Sequence, residues 1–431
     1  MLGFRMHTFT TLERTRSPLP IRVLNRSAAW LAKTGVAGAP LRPTDLIDAA
    51  KRNYQLDDFG EGDFFEPLSR LLESCQREAR LNLVGRISLR AHLLQILCNR
   101  LLIQQDRRSY PEIARQKIQQ PLFILGLPRS GTTLLHTLLA ADPDHRAPLS
   151  WEVMEPSPPS CENERQRIRR TVRSLSWLNR LAPTFRCVHS VGAELPQECV
   201  SLMAPSFMSD QFDTMYYVPS YRAWFFRQDL QPAYGCHRNF LQHLQHRRGA
   251  HRWILKAPTH MFALPTLLSV YPDALFVQIH RAPLEAIASV SSLITILRRV
   301  FSDTVDAFTI GRDALQYWSE TLNAFLEERE RLPSGRIFDL DYHEIRRDPI
   351  TAIRRVYDYF GWSLSRVAEK QMRAVLINQP REQRGHHRYN LSQFGLEASH
   401  AEAFNAYCER FGLFSRPVRR SAERAEALVF K

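Results

Sequence analysis

Leu122-Phe-Ile-Leu-Gly-Leu-Pro-Arg-Ser-Gly-Thr-Thr-Leu-Leu135 is the stretch that decides the fold. A short apolar run, the length of a buried strand, breaks at Gly126. Pro128 and Gly131 mark a turn, and an apolar helix follows from Thr132 to Leu139. Gly126 and Gly131 bracket four residues, the outer spacing of a Walker A loop. In such a strand–loop–helix unit, successive backbone N–H groups converge at the helix N-terminus and form an anion site. Glycine lets the backbone approach a phosphate closely, and the hydroxyls of Ser130, Thr132 and Thr133 add donors.

The loop departs from Walker A at one position. Thr132 stands after the second glycine, where a nucleoside triphosphatase carries lysine, and the cation is Arg129, inside the loop. Without that lysine nothing reaches for the β- and γ-phosphates. The loop suits a single 5′-phosphate with a group attached, held without an obligatory Mg²⁺.

Working outward, residues 121–361 alternate short apolar runs with longer helical ones. The runs are 121–125, 253–255, 275–279 and 337–340, each followed by a turn and an amphipathic stretch. This predicts βαβ units: an α/β fold with a parallel sheet covered by helices on both faces. Helical additions are expected on either side. Leu68, Leu71, Leu72 and Cys75, then Leu89, Leu93, Leu94, Leu97 and Leu101, recur at helical spacing. The expected organisation is an extension over 1–43, a helical layer over 44–120, the α/β domain over 121–395 and a helical tail over 396–431. Within the domain, 155–250 is the variable region expected to bind an acceptor, with Trp177, Phe207, Phe212, Tyr216, Tyr217, Tyr221, Trp224, Phe225 and Phe226 as lining candidates.

A second anion site is expected after the run ending at Ile279. His280-Arg-Ala-Pro-Leu-Glu-Ala-Ile-Ala-Ser289 places Arg281 at a strand's C-terminal end, where open α/β sheets bind ligands. Pro283 fits the first turn of a helix. The guanidinium fork can hold a phosphate bidentately, and the Ser289 hydroxyl can close the other side. Lys256 ends another run, in Leu255-Lys-Ala-Pro-Thr-His260, and faces the same crevice.

These residues together resemble the sulfotransferases that use 3′-phosphoadenosine 5′-phosphosulfate (PAPS), whose loop reads P-[KR]-S-G-T-[TS]; Pro128-Arg-Ser-Gly-Thr-Thr133 matches it throughout. The resemblance implies a P-loop-like fold and PAPS as donor, with no metal required. It implies that Arg129, Ser130, Gly131, Thr132 and Thr133 hold the 5′-phosphosulfate, that Arg281 and Ser289 hold the 3′-phosphate, and that Lys256 contacts the transferring group. Tyr342 resembles a family position beside the nucleotide, and Arg388, in the basic loop 384–389, a late residue closing over the 3′-phosphate. For the base, Glu152 follows the expected second strand, as in related bacterial enzymes, and ranks first; His260, Glu198 and His189 follow. The cytosolic enzymes' histidine lies two residues past the lysine, whereas His260 lies four past Lys256.

Composition bounds the rest. With 44% hydrophobic and 24% charged residues, the chain is globular in type, and its net charge of +14 admits polyanionic ligands without naming one. The basic–aromatic interleaving of a nucleic-acid module is absent, so no nucleic-acid partner is expected. Seven cysteines without a C-x-x-C pair suggest neither a zinc ribbon nor a disulfide framework, which points to a cytoplasmic protein. No segment reaches the roughly 20 apolar residues of a membrane span. The basic surface leaves peripheral membrane contact open. A small molecule, a lipid or a glycan would serve as acceptor, through a hydroxyl or an amine. A P-loop kinase is the alternative reading, with Asp339 or Asp341 offered as its Mg²⁺ ligand, and a non-catalytic adapter stands behind it. Oligomeric state is not readable.

Overall fold

The computed structural model describes residues 9–10, 25, 27, 41–159, 163–181, 192–249, 251–378, 387–388 and 390–413. At its centre lie five parallel strands: β1 (Leu122–Gly126), β2 (His145–Arg146), β3 (Arg252–Lys256), β4 (Leu275–His280) and β5 (Ile337–Asp341). Their order is β2-β3-β1-β4-β5. Four strands fall within a residue of the expected runs. The edge strand β2 has only two residues and no apolar run to announce it.

Register aligns the strand ends. Leu122 pairs with both Ile254 and Leu275, Ile124 with Lys256, and Gly126 with Ile279. The phosphate-loop turn, Lys256 and Arg281 therefore leave the sheet along one carboxyl rim. After β1 the chain passes to one side of it for β2 and β3, and then to the other for β4 and β5. That reversal is the switch point at which such sheets open a crevice.

Helices follow the sequence signals closely. Before the sheet come α1 (Pro43–Tyr54), α2 (Phe65–Arg77) and α3 (Leu83–Ser109). The Asn82 side chain caps α3 by accepting from Gly85 N–H at 2.8 Å. Leu89, Leu93, Leu97 and Leu101 form its fully buried stripe, each contributing about 2 kcal/mol of apolar burial. Past β1 runs α4 (Thr132–Leu139), and past β2 the short α5 (Ser150–Met154). The variable stretch supplies, among others, α6 (Cys199–Met203) and α7 (Gln211–Met215). After β4 comes α8 (Pro283–Phe301), opened by its proline, and α9 (Ala307–Glu330) packs along it. Past β5 come α10 (Tyr342–Arg347), α11 (Pro349–Phe360) and α12 (Arg366–Asn378). Gly361, at φ 68°, terminates α11 in the left-handed region.

Strand alternation sends side chains to two separate cores. Phe123, Leu125, Trp253, Leu255 and Phe276 join α1–α3, α8 and α9 in the larger one. Leu122, Ile124, Ile254, Leu275, Val277, Ile279 and Leu340 join α4, α11 and α12 in the smaller one. The expected layer over 44–120 thus shares its core with one sheet face. In the tail, the Tyr407 hydroxyl receives Gln278 Nε2–H at 3.0 Å and meets His280 Nδ1 at 2.8 Å, fixing residues 405–411 to β4. The extension over 1–43 lies almost wholly outside the described residues. Of it, residues 9–10 pair in parallel with 387–388, and the Asn25 side chain accepts Val84 N–H at 3.3 Å. Among the described residues no helix is long and apolar enough to cross a membrane.

Candidate active site

The phosphate loop begins where β1 ends. Gly126 sits at φ 140°, and a Cβ there would fall 2.7 Å from the Ile279 carbonyl oxygen, so only glycine lets β1 and β4 meet at this point. Ser130 is fully buried and donates its hydroxyl to the Leu127 carbonyl at 2.6 Å. It shapes the turn from within. Arg129 adopts φ 69°, uncommon for a residue with a Cβ.

Arg281 holds that turn in place. Its Nη1 donates to the Arg129 carbonyl at 2.6 Å and its Nη2 to Glu285 at 3.2 Å, while its guanidinium lies 4.5 Å above the Tyr342 ring. The Tyr342 ring also packs on Gly131, 3.4 Å from where a Cβ would sit. Arg129 Nε in turn donates to Ser289 Oγ at 3.2 Å. The loop and the Arg281–Ser289 pair, predicted as two anion sites, therefore meet on one rim. Arg281 Nε is buried without a hydrogen-bond partner among the described residues. Such an orphaned donor beside a phosphate loop fits an anion, and the residues present match a bisphosphorylated nucleotide.

Lys256 links this rim to a deeper cavity. Its side chain is 3% exposed, its Nζ lies 3.4 Å from Thr133 Oγ1, and it forms an ion pair with Glu198. Glu198 occupies the N-cap of α6 without capping it, which leaves its carboxylate turned to the lysine. A cavity of about 390 Å³ opens beyond. Arg129, Thr133, Lys256 and Glu198 line its rim end, and Tyr221, Phe225, Leu293, Leu297, Tyr317 and Trp318 contribute apolar wall. A cationic, hydroxyl-rich mouth leads to a chamber whose apolar and aromatic wall also carries Asp210, Asp213, Asp313, Arg222 and Arg298.

The profile described as "Sulfotransferase family" matches residues 121–366. The chain belongs to the sulfotransferase family. The crystal structure of sulfotransferase STF1 from Mycobacterium tuberculosis H37Rv is similar with a TM-score of 0.76 and 34% identity, over 85% of this chain and 99% of that one. Sulfotransferase STF9 from Mycobacterium avium also gives 0.76, at 26% identity, over 87% and 97%. Among curated proteins, the omega-hydroxy-beta-dihydromenaquinone-9 sulfotransferase Stf3 of Mycobacterium bovis is 26% identical over 254 residues. That match covers 56% of this chain and 62% of the relative, less than two thirds of its length.

Two residues of this sulfotransferase that the sequence offered as bases lie elsewhere. Glu152 is 2% exposed and outside the cavity lining. It accepts Leu149 N–H at 3.0 Å at the start of its own helix, and Arg146 Nη2–H at 2.7 Å. Both contacts are structural, so Glu152→Gln should lower stability by about 2 kcal/mol with kcat nearly unchanged. A urea titration beside a turnover assay checks this. His260 is fully buried in a ring cluster with Phe123 and His237, its Nδ1 2.8 Å from the Tyr234 hydroxyl. Burial, reinforced by His237, holds its imidazole well below the usual range, and it does not line the cavity.

Other candidates divide. Thr132, Thr133 and Tyr342 line the cavity with Arg129, whereas Arg281 and Ser289 adjoin it through that arginine. The side chain of Arg388 and all of His189 lie outside the described residues. Of the named aromatics, Tyr221, Phe225 and Phe226 line the cavity; Phe207, Phe212 and Tyr216 are buried in the larger core, and Trp177 is exposed. Sequence reading missed Arg346, Asp210 and the wall supplied by α8 and α9. Only the wall left a trace, in the apolar stripe of Val290, Leu293, Ile294 and Leu297. The carboxylates a kinase would need are engaged. Asp339 receives two hydrogen bonds of 2.9 Å from Arg329 and lies 2.8 Å from His280 Nε2. Asp341 caps α10 through the N–H groups of His343 and Glu344.

Proposed function

We propose that the chain transfers a sulfuryl group from PAPS to the hydroxyl of a predominantly apolar acceptor. The observation that carries this reading is the convergence of Arg129, Ser289 and Arg281 on one rim, since a second anion site beside the loop is what distinguishes a 3′-phosphorylated donor from ATP. The 5′-phosphosulfate would lie over 129–133, and the 3′-phosphate against Arg281 and Ser289. The relative whose name specifies a hydroxylated menaquinone accords with an alcohol on an apolar body, as does the apolar wall of the cavity. An amine acceptor would enter the same way.

Glu198, ranked third from sequence, is our assignment for the base, because it alone of the four candidates lines the cavity among the described residues. The acceptor oxygen attacks sulfur in line and its proton passes to Glu198. The bond from sulfur to the 5′-phosphate oxygen breaks, and adenosine 3′,5′-bisphosphate leaves with the electron pair. Lys256 and Arg129 supply positive charge near that oxygen, as group transfer by positioning and charge stabilisation requires.

Thermal melting tests the donor. Adenosine 3′,5′-bisphosphate at 100-fold excess over its Kd should stabilise the native state by about 2.7 kcal/mol, without Mg²⁺, whereas ATP should do little. Stabilisation by ATP with Mg²⁺ alone would favour the kinase.

A further inference from the structure

Four carboxylates line the cavity, and one of them has no cationic partner among the described residues. Glu198 is paired with Lys256; Asp213 and Asp313 are paired with Arg222 at 3.4 and 3.1 Å, and Asp213 also with Arg298 at 3.5 Å. Asp210 lines the same cavity with no cationic partner among the described residues. It precedes α7 at the N-cap position, yet its side chain does not cap that helix. Its Oδ1 is buried and accepts no hydrogen bond among the described residues. The Thr259 hydroxyl stands beside the carboxylate and is the one side-chain donor near it among the described residues. On α9 the Tyr317 hydroxyl, also part of the lining, is buried, with the Thr321 side chain beside it.

Buried polar atoms whose hydrogen-bonding capacity is only partly used are costly to keep unless something arrives to satisfy them. We propose that Asp210 and Tyr317 form a recognition point for a second hydrogen-bond-donating group, hydroxyl or ammonium, carried by an otherwise apolar alcohol acceptor. This rests on the acceptor reading of the cavity given above. Asp210 accepts from the incoming group, and Tyr317 donates to its oxygen where it has one. Burial, aided by the charges of Glu198 and Asp213, pushes the Asp210 carboxyl up to about 7, so an incoming donor replaces a missing partner. Burial and the charge of Asp210 likewise raise the Tyr317 phenol, which stays protonated as a donor. The site thus selects bifunctional acceptors over plain alcohols of equal length.

Binding measurements test this without needing turnover. Primary alcohols from butan-1-ol to decan-1-ol, the matched terminal diols and the matched amino alcohols are titrated into the full chain, with and without adenosine 3′,5′-bisphosphate, following tryptophan fluorescence. At some chain length the diol or amino alcohol should bind about tenfold more tightly than its plain counterpart. Asp210→Leu should abolish the preference. Asp210→Asn, which keeps an acceptor oxygen but no charge, should retain part of it for diols and lose it for amino alcohols. Equal binding of plain and bifunctional alcohols at every length overturns the proposal, as does a preference surviving in Asp210→Leu. The melting shift with bisphosphate reads folding of each variant. Absence of that shift in the unaltered chain would instead sink the donor assignment, whatever the alcohols do.

Discussion

Arg281→Ala should weaken binding of adenosine 3′,5′-bisphosphate by about a hundredfold, the larger of the two losses expected at the donor end. Two effects combine in this one side chain. Its guanidinium is the expected partner of the 3′-phosphate, and truncating one member of such a charge-assisted pair costs about 2–3 kcal/mol. It also ties down the Arg129 carbonyl at 2.6 Å, so its removal frees a turn that Arg129 occupies in a left-handed conformation. Arg281→Lys should recover little, because an ammonium cannot present two parallel donors. Tyr342→Phe is the control, since the ring packs against Gly131 and the guanidinium. Isothermal titration reads all three. A dissociation constant within threefold of the parent in Arg281→Ala would remove this arginine from the donor site.

Glu198→Gln should lower kcat by about 10²–10⁴ while leaving the affinity for the bisphosphate nearly unchanged. The amide keeps the size of the side chain but cannot take the acceptor's proton. Lys256→Met should also reduce kcat, through loss of positive charge at the leaving oxygen. Steady-state kinetics with a saturating donor measures both. Turnover that survives in Glu198→Gln would move the base to Asp210, the lining carboxylate with no cationic partner among the described residues. Comparison with Glu152→Gln then separates a residue that moves a proton from one that holds a helix.

The rim that carries the phosphate loop, Lys256 and Arg281 was legible because backbone geometry demands particular residues there. Only glycine fits at Gly126 against the Ile279 carbonyl, and strand ends place Lys256 and Arg281 on the rim whatever surrounds them. Which candidate base would line the cavity was not legible. Glu198 reaches Lys256 because residues 193–197 lie against 148–151, with hydrogen bonds of 3.0 Å from Ser150 N–H to Leu195 O and 2.9 Å from Trp151 N–H to Ala193 O. That is a tertiary pairing with no local signature. Glu152 fits by position after β2, but as the third residue of α5 its carboxylate turns back to accept Leu149 N–H, a contact with no sequence signal because leucine at the N-cap cannot return the bond. His260, four residues past Lys256, enters the short turn 258–262 and points into the larger core. The acceptor wall was half visible: the variable region yields Tyr221 and Phe225, while α8 and α9 supply the rest from stretches that read as ordinary amphipathic helices.

The two cores back different parts of the cavity. The chamber residues Tyr221, Phe225, Val290, Leu297, Ala314 and Trp318 all belong to the larger one. The first helix after the phosphate loop, through Leu135, Leu138 and Leu139, rests on the smaller one, as do Ile345 and Tyr342. The sheet stands between them as a partition. Substitutions in the wall from α9 and from residues 221–225 leave the helix behind the phosphate loop untouched, whereas those on α8 also disturb the helix that carries Ser289.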